Sequence, residues 1–257
     1  MNEQKERPTK ADVRPPNWPE PGPSSLGFAF GAQILAVIVP AYFALAFLFQ
    51  TDPLDDAKKV LKPGIWPTLL QFPPLWIMLL GGIVLACRHR KESIGTFLTL
   101  SMKPIDVAWL LGGVALQFVV ALPYRWLNVD TEKLAKPAKE LVKGTGGGAV
   151  AFFGLVIAVG LIAPIVEECF YRGFIARSIV RLFPAFRTWP TTLIGAGLSG
   201  IWFGLIHLQP LQFPALVAVG VACAMVALRT GRLAPAVFVH MGFNLITVVA
   251  LRGDFWP

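Results

Sequence analysis

Two adjacent glutamates and an arginine interrupt one of the most apolar parts of the chain. In the stretch IVEECFYRGF, Glu168 and Arg172 are four positions apart. On a helix this spacing places them on one face, where the guanidinium can hold the carboxylate ionised and oriented. Glu167 points in another direction, and a second carboxylate so close disfavours ionisation of one of the two, which suits a general base near neutrality. A solvated ion pair at a helix end has the same spacing.

Two further polar pairs lie in apolar segments near the end of the chain. Phe203 and His207 occur in WFGLIH, and His240 and Asn244 occur in HMGFN. Each pair is four residues apart and therefore shares a helix face. Histidine and asparagine inside a membrane usually face the interior of the bundle and mark function, although an asparagine also joins helices by simple hydrogen bonding.

Two kinds of chemistry are open to these side chains. A glutamate within reach of a histidine can activate water, while a second histidine and an asparagine amide donate to a developing oxyanion, which together permit hydrolysis of an amide. Alternatively, Glu168, His207 and His240 could hold zinc and leave a position open for water. The first interpretation needs no metal or cofactor, and the adjacent Arg172 cation favours it because it opposes a bound dication.

The elements that position these residues are predicted to be membrane helices. Of the 257 residues, 55% are hydrophobic and only 15% are charged, whereas a soluble domain carries about 25% charge. Runs of about 20 apolar residues are long enough to span a bilayer. The fold class is therefore an all-α, polytopic transmembrane bundle of about seven to eight membrane helices. The apolar runs cover residues 28–49, 65–87, 105–123, 149–168, 190–208, 211–228 and 232–251.

The polar segments indicate how the chain is organised. Residues 1–27 are polar and rich in proline, and we interpret them as a disordered cytoplasmic tail that precedes one membrane-embedded domain, residues 28–257. The net charge of +8 arises mostly from links between apolar runs, where basic residues set topology rather than bind nucleic acid. Their distribution places the N-terminus in the cytoplasm. The three cysteines are far apart and predict neither disulfides nor a thiolate metal site.

The three polar motifs, in this order, resemble the CPBP family of intramembrane proteases. This family includes the CAAX prenyl endopeptidases and the bacterial Abi proteins linked to bacteriocin self-immunity. The motifs EExxxR, FxxxH and HxxxN are all present, and the similar region covers about residues 150–251. The resemblance implies an endopeptidase whose substrate is a membrane-anchored peptide or protein, with or without a prenyl group, in the lipid bilayer. In a bacterium its location would be the cytoplasmic membrane.

Roles for the motif residues follow from the resemblance. It implies that Glu167 and His207 activate water and that His240 and Asn244 form the oxyanion hole. It leaves orienting roles for the remaining motif residues, which are Glu168, Arg172 and Phe203. Two other classes of protein remain open: a proton-coupled transporter that uses the same side chains as a relay, and a non-catalytic immunity or scaffold protein.

The apolar runs raise a geometric problem for this site. If residues 149–168 and 190–208 cross the membrane in opposite directions, Glu167 and His207 lie near opposite sides, ~25 Å apart at 1.5 Å per residue. We therefore expect the fourth helix to continue to about residue 180 and the fifth to be displaced toward Pro210. Gly200 and Gly204 have the spacing that lets helices approach closely, which predicts a tight contact for the helix that carries His207.

Overall fold

The computed structural model describes residues 25–50, 65–146, 148–183 and 189–252, and these ranges contain helices, turns and short links. Residues 1–24 of the predicted tail lie outside the described residues. Nine helices follow one another in these described ranges. They are α1 Leu26–Gln50, α2 Ile65–Arg90, α3 Ile94–Leu98, α4 Trp109–Trp126, α5 Thr131–Gly144, α6 Ala149–Arg181, α7 Trp189–Ile206, α8 Phe213–Thr230 and α9 Ala234–Arg252.

Six of the described helices are long and apolar enough to cross a membrane, which confirms the prediction of a polytopic helical bundle. Large apolar side chains cover their outer surface; Leu70, Leu111 and Val150, for example, are each more than 70% exposed. Such a surface is stable against hydrocarbon but not against water, because apolar area in water costs free energy in proportion to its extent. The protein is therefore an integral membrane protein.

The helix α6 is far longer than its apolar run suggested. It extends over 33 residues, or ~50 Å at 1.5 Å per residue, so Glu167 lies near its middle. This confirms that the fourth helix continues to about residue 180. The prediction for the next helix was wrong: α7 begins at Trp189 and ends at Ile206, and it is not displaced toward Pro210.

The helix α6 contains two π-helical segments, Val156–Ile162 and Cys169–Ala176, on either side of the paired glutamates. A π-helical turn holds an extra residue, is rare, and often occurs at functional sites. The helix thus crosses the bundle without a break, while its wider turns alter the direction in which side chains leave the axis.

Residues 125–148, which lie between two of the apolar runs, contain the amphipathic helix α5. The Asp130 carboxylate caps it by accepting hydrogen bonds from the backbone N–H groups of Glu132 and Lys133. Leu134, Ala135 and other apolar residues at helical spacing face the bundle, and lysines occupy the other face. Because its residues alternate between polar and apolar, a search for uniformly apolar runs misses it.

Glycines let two helix pairs approach closely. A side chain on Gly220 of α8 would lie 2.7 Å from the backbone of Gly200 on α7, which confirms the predicted tight contact. Gly113 of α4 and Gly242 of α9 similarly contact each other's helix backbone. These two contacts fix the helices that carry His207 and His240 relative to the rest of the bundle.

Candidate active site

The Glu168 carboxylate is completely buried between a cation and an imidazole. Its Oε1 atom lies 2.8 Å from Arg172 Nη1 and 2.8 Å from His240 Nδ1. Arg172 is also completely buried, and its Nη2 donates a hydrogen bond of 3.2 Å to the Gly220 carbonyl. The i,i+4 pair expected from the sequence is thus an internal ion pair, not a solvated one at a helix end. Its burial makes it depend on these partners, because an unpaired internal charge is very costly.

Glu167 faces away from this ion pair and lines a cavity. Its side chain is 20% exposed, and its Oε2 lies 3.8 Å from Nε2 of His240. That separation is too long for a direct hydrogen bond. The two glutamates therefore differ in environment: one is internal and paired, while the other meets the cavity space and retains oxygens that can contact water.

His207 lies immediately after the last residue of α7, Ile206. Its Nδ1 lies 2.6 Å from the carbonyl oxygen of Phe203. Since a carbonyl only accepts, Nδ1 carries the proton in this contact, and a neutral ring then has an acceptor lone pair on Nε2. The Nε2 atom of His207 can therefore accept a hydrogen bond or a proton.

Phe203 stands among the charged and imidazole groups. Its ring centroid is 4.5 Å from that of His207 and 5.6 Å from that of His240. The guanidinium carbon of Arg172 lies 4.5 Å from the same ring. Phe203 is 1% exposed, so one rigid aromatic side chain limits the positions of three polar ones.

Asn244 lies one helical turn beyond His240 on α9. Its Nδ2 donates a hydrogen bond of 2.9 Å to the Val159 carbonyl in the π-helical part of α6. An amide nitrogen has two N–H groups, so this bond fixes the side chain and leaves the other N–H available. The extra residue in each π-helical turn alters which carbonyls meet neighbouring helices.

One cavity of about 320 Å³ brings these predicted site residues together. Its lining includes Glu167, Phe203, His207, His240 and Asn244. Glu168 lies behind this lining, where its Oε1 atom contacts both Arg172 and Nδ1 of His240. Glu167 and His207 therefore do not lie near opposite sides of the membrane, as the apolar runs suggested. Glu167 lies near the middle of a long helix, and His207 lies at the end of a shorter one.

Several contributors to the site have no conspicuous signal in the sequence. Tyr171 donates a hydrogen bond of 2.8 Å to Gln33 of α1, and its ring packs 5.2 Å from that of Phe203. The backbone carbonyl of Tyr171 accepts from Ser199 at 2.8 Å. Gln33 is the one of these that sequence reasoning could find, because an amide in an apolar run is uncommon. The residues of α5 that line the cavity are Pro137, Ala138, Leu141 and Val142.

The alternative zinc site does not fit the observed donors. Within the described ranges, no group of three or more His, Cys, Asp and Glu residues is arranged to hold a metal ion. Of the three candidate ligands, Glu168 shares one oxygen between Arg172 and His240, whose Nδ1 is thereby engaged. A guanidinium at 2.8 Å from a ligand oxygen opposes a dication at the same oxygen.

The fold and this polar cavity define a membrane-embedded helical protein with a site suited to hydrolysis. Residues 149–246 match the family model described as Type II CAAX prenyl endopeptidase Rce1-like. The match extends over α6, α7, α8 and most of α9, and it confirms the resemblance to the CPBP family inferred from the motifs. No significant match was found among curated proteins or among solved structures.

Proposed function

We propose that the protein is an intramembrane endopeptidase in which Glu167 and His207 activate water against a peptide bond. The observation that carries this proposal is the common cavity of Glu167, His207, His240 and Asn244. A water molecule there can donate one hydrogen bond to the Glu167 carboxylate and one to His207 Nε2. Both of its protons are then engaged, and its lone pair is free to attack a carbonyl carbon.

His240 and Asn244 supply the donors for the oxyanion that this attack produces. The Nδ1 atom of His240 contacts Glu168, and its Nε2 atom is on the cavity side, where it would donate to the oxyanion. The second N–H of Asn244 would donate to the same oxyanion. Removal of one such donor typically costs ~10²–10³ in kcat.

Glu168 and Arg172 act as positioning residues in this proposal. The ion pair holds the His240 ring in its orientation through the contact of Glu168 with Nδ1. Phe203 limits the rotation of both imidazoles. No step requires a metal, and after attack Glu167 passes the proton from water to the leaving amine, so the products are a carboxylate and an amine.

The substrate class follows from the walls of the cavity. Apolar residues of α5, α6 and α9 form much of the lining, so the cavity suits a peptide segment delivered from the bilayer. A second, mainly apolar cavity of about 100 Å³ shares Gln212, Leu216 and Phe243 with the first. We propose a membrane-anchored substrate, and the second cavity is where part of an attached lipid chain, prenyl or acyl, would be accommodated.

Cleavage by purified protein in liposomes tests the proposal. Matched reporter peptides with a transmembrane anchor, a prenyl group or no anchor are compared for wild type, Glu167→Gln and Glu140→Gln. Glu140 is an exposed glutamate on α5 and serves as the matched control. We expect cleavage by wild type and Glu140→Gln, and none by Glu167→Gln. Undiminished cleavage by Glu167→Gln contradicts the proposal, and proton flux without cleavage identifies a transporter.

A further inference from the structure

The lining of the catalytic cavity contains a polar residue, Gln209, that the proposed mechanism does not use. It lies in the link between α7 and α8, and its half-buried side chain lines the same cavity as Glu167 and His207. A carboxamide carries two N–H donors and a carbonyl acceptor, so it needs several hydrogen-bond partners when it leaves water. The partners of each amide in the lining therefore show which of them are already occupied.

The other two amides of the lining are bound to the protein itself. Gln212 donates to the Leu134 carbonyl of α5, and Asn244 donates to the Val159 carbonyl of α6. In the part of the chain that the structure describes, the side-chain amide of Gln209 has no hydrogen-bond partner. Gln209 consequently presents both a donor and an acceptor to the cavity, and a molecule that enters the cavity can bind to them.

The conformation of the backbone next to Gln209 is unusual. Leu208 has a φ of 53°, in the left-handed region that is strained for residues other than glycine. Its side chain is 81% exposed, so packing of that side chain does not compensate for the strain. Pro210 follows, and a residue before proline is restricted to extended conformations. The chain therefore turns after His207 and places Gln209 at the cavity, and strain of this kind is concentrated at functional sites.

Hydrogen bonds from other elements fix this link in place. The Tyr124 hydroxyl of α4 donates to the Leu211 carbonyl at 3.1 Å and accepts from the Ala215 backbone N–H at 3.2 Å. The Gln209 carbonyl accepts from the Gln212 backbone N–H at 3.0 Å. The main chain of Gln209 is thus held before any ligand binds, and only its side chain has to adjust.

We propose that Gln209 binds the main chain of the substrate beside the scissile bond, which rests on the proposed proteolysis. Gln209 follows His207 by two positions, so their Cα atoms are at most ~7 Å apart. An extended peptide advances about 3.3 Å per residue. Gln209 therefore reaches a peptide unit one or two residues from the bond that the water activated by His207 attacks.

This contact names the substrate class. One carboxamide can donate to the carbonyl of a peptide unit and accept from its N–H, whatever the side chain beside it. In an α-helix both groups are already bonded within the helix. The substrate is therefore a membrane-anchored segment that is extended at the bond to be cut, with little selectivity for the side chain that Gln209 passes.

Separate determination of kcat and KM for Gln209→Met tests the contact. Methionine has a similar length and no amide, so it fills the same space. Gln71→Met is the matched control, since Gln71 is an exposed glutamine on α2 outside the cavity lining. With a transmembrane-anchored reporter, we expect Gln209→Met to raise KM by about 3–10-fold, as for one lost hydrogen bond. We expect kcat to stay close to wild type, and Gln71→Met to change neither value.

Reporters with a single ester in place of one peptide bond locate the contact. An ester has no N–H, and the scissile bond itself stays an amide. We expect one ester within two residues of the scissile bond to raise KM for wild type but not for Gln209→Met. An unchanged KM for Gln209→Met, or additive effects of this substitution and every ester, overturns the inference. A lower melting temperature and a lower kcat at unchanged KM assign Gln209 a structural role and also overturn it.

Peptide binding without cleavage separates this inference from the proposed function. The dissociation constant of the uncleaved reporter is compared for Glu167→Gln and Glu167→Gln/Gln209→Met in lipid nanodiscs. We expect a value about 3–10-fold higher for the double variant. Cleavage by wild type with equal dissociation constants overturns the inference and retains proteolysis. Weaker binding by the double variant, with no cleavage by wild type, contradicts the proposed function and retains the contact with Gln209.

Discussion

His240 Nδ1 lies 2.8 Å from Glu168 Oε1, and the same oxygen lies 2.8 Å from Arg172 Nη1. A single carboxylate oxygen thus joins α6 to α9 and links the imidazole to a buried cation. The other imidazole nitrogen of His240 lies 3.8 Å from Glu167. His240 therefore lies between Glu168, which contacts its Nδ1 atom, and Glu167, which lines the cavity.

Glu168→Gln is expected to destabilise the protein and to reduce cleavage. It leaves the Arg172 cation buried without its counter-charge, and breaking a buried pair in this way costs about 3–5 kcal/mol. Thermal unfolding in detergent measures the loss of stability. Separate determination of kcat and KM measures the loss of cleavage. In the double variant Glu168→Gln/Arg172→Met, we expect stability to recover in part while kcat stays low. Recovery of kcat as well would show that the pair has only a structural role.

Asn244→Ala is expected to lower kcat by ~10²–10³ with little change in KM, because an oxyanion donor acts mainly in the transition state. Gln117→Ala, assayed with a transmembrane-anchored substrate that carries no lipid, is the control, since Gln117 is another amide in a neighbouring membrane helix and lines the second cavity. Equal kcat values for Asn244→Ala and wild type would remove Asn244 from the oxyanion hole.

Gly200→Ala and Gly197→Ala provide a matched pair on α7. A methyl group on Gly200 would lie 2.8 Å from the backbone nitrogen of Val221, whereas one on Gly197 has no atom within 4 Å. We expect the first to destabilise by about 1–3 kcal/mol through overpacking. The second should stabilise by roughly 0.5–1 kcal/mol, because alanine favours a helix over glycine. Equal melting temperatures would contradict the close contact of α7 with α8.

Chelation is expected to leave cleavage unchanged. Incubation with EDTA or 1,10-phenanthroline, followed by dialysis, should retain full activity, and metal analysis should find less than one zinc per chain. The physical reason is the Arg172 guanidinium beside Glu168, which competes with a dication for the same oxygen. Loss of activity on chelation, restored by zinc, would contradict the metal-free mechanism.

The Tyr171 hydroxyl donates to Gln33 at 2.8 Å within the core. Tyr171→Phe leaves the Gln33 amide oxygen without this donor, and we expect a loss of about 1–3 kcal/mol in unfolding free energy. Gln33→Leu added to it should cost less than the sum of the single changes, because no partner then remains unsatisfied. An additive double-mutant cycle would show that the bond does not couple α1 to α6.

Sequence patterns located most of the helices, but not all of their ends. Uniform apolar runs located α2, α4, α7, α8 and α9 closely, because a bilayer of ~30 Å requires such runs. The fourth apolar run ends at Glu168, whereas the corresponding helix α6 continues to Arg181. Charged residues beyond Glu168 are buried by neighbouring helices, which a search for apolar lengths does not recognise. It also missed α5, whose polar face gives it a low average hydrophobicity.

The sequence by itself determined that the chain is a membrane helical bundle and which polar residues are candidates for chemistry. It did so because polar groups in hydrocarbon are costly and need a reason, and because residues four apart share a helix face. Only the tertiary structure decided that the Glu168–Arg172 pair is buried against His240, while Glu167 lines the cavity with His207 and Asn244. The spacing to Arg172 distinguishes Glu168 from Glu167 in the sequence, but the burial of each glutamate depends on the helices that pack around it.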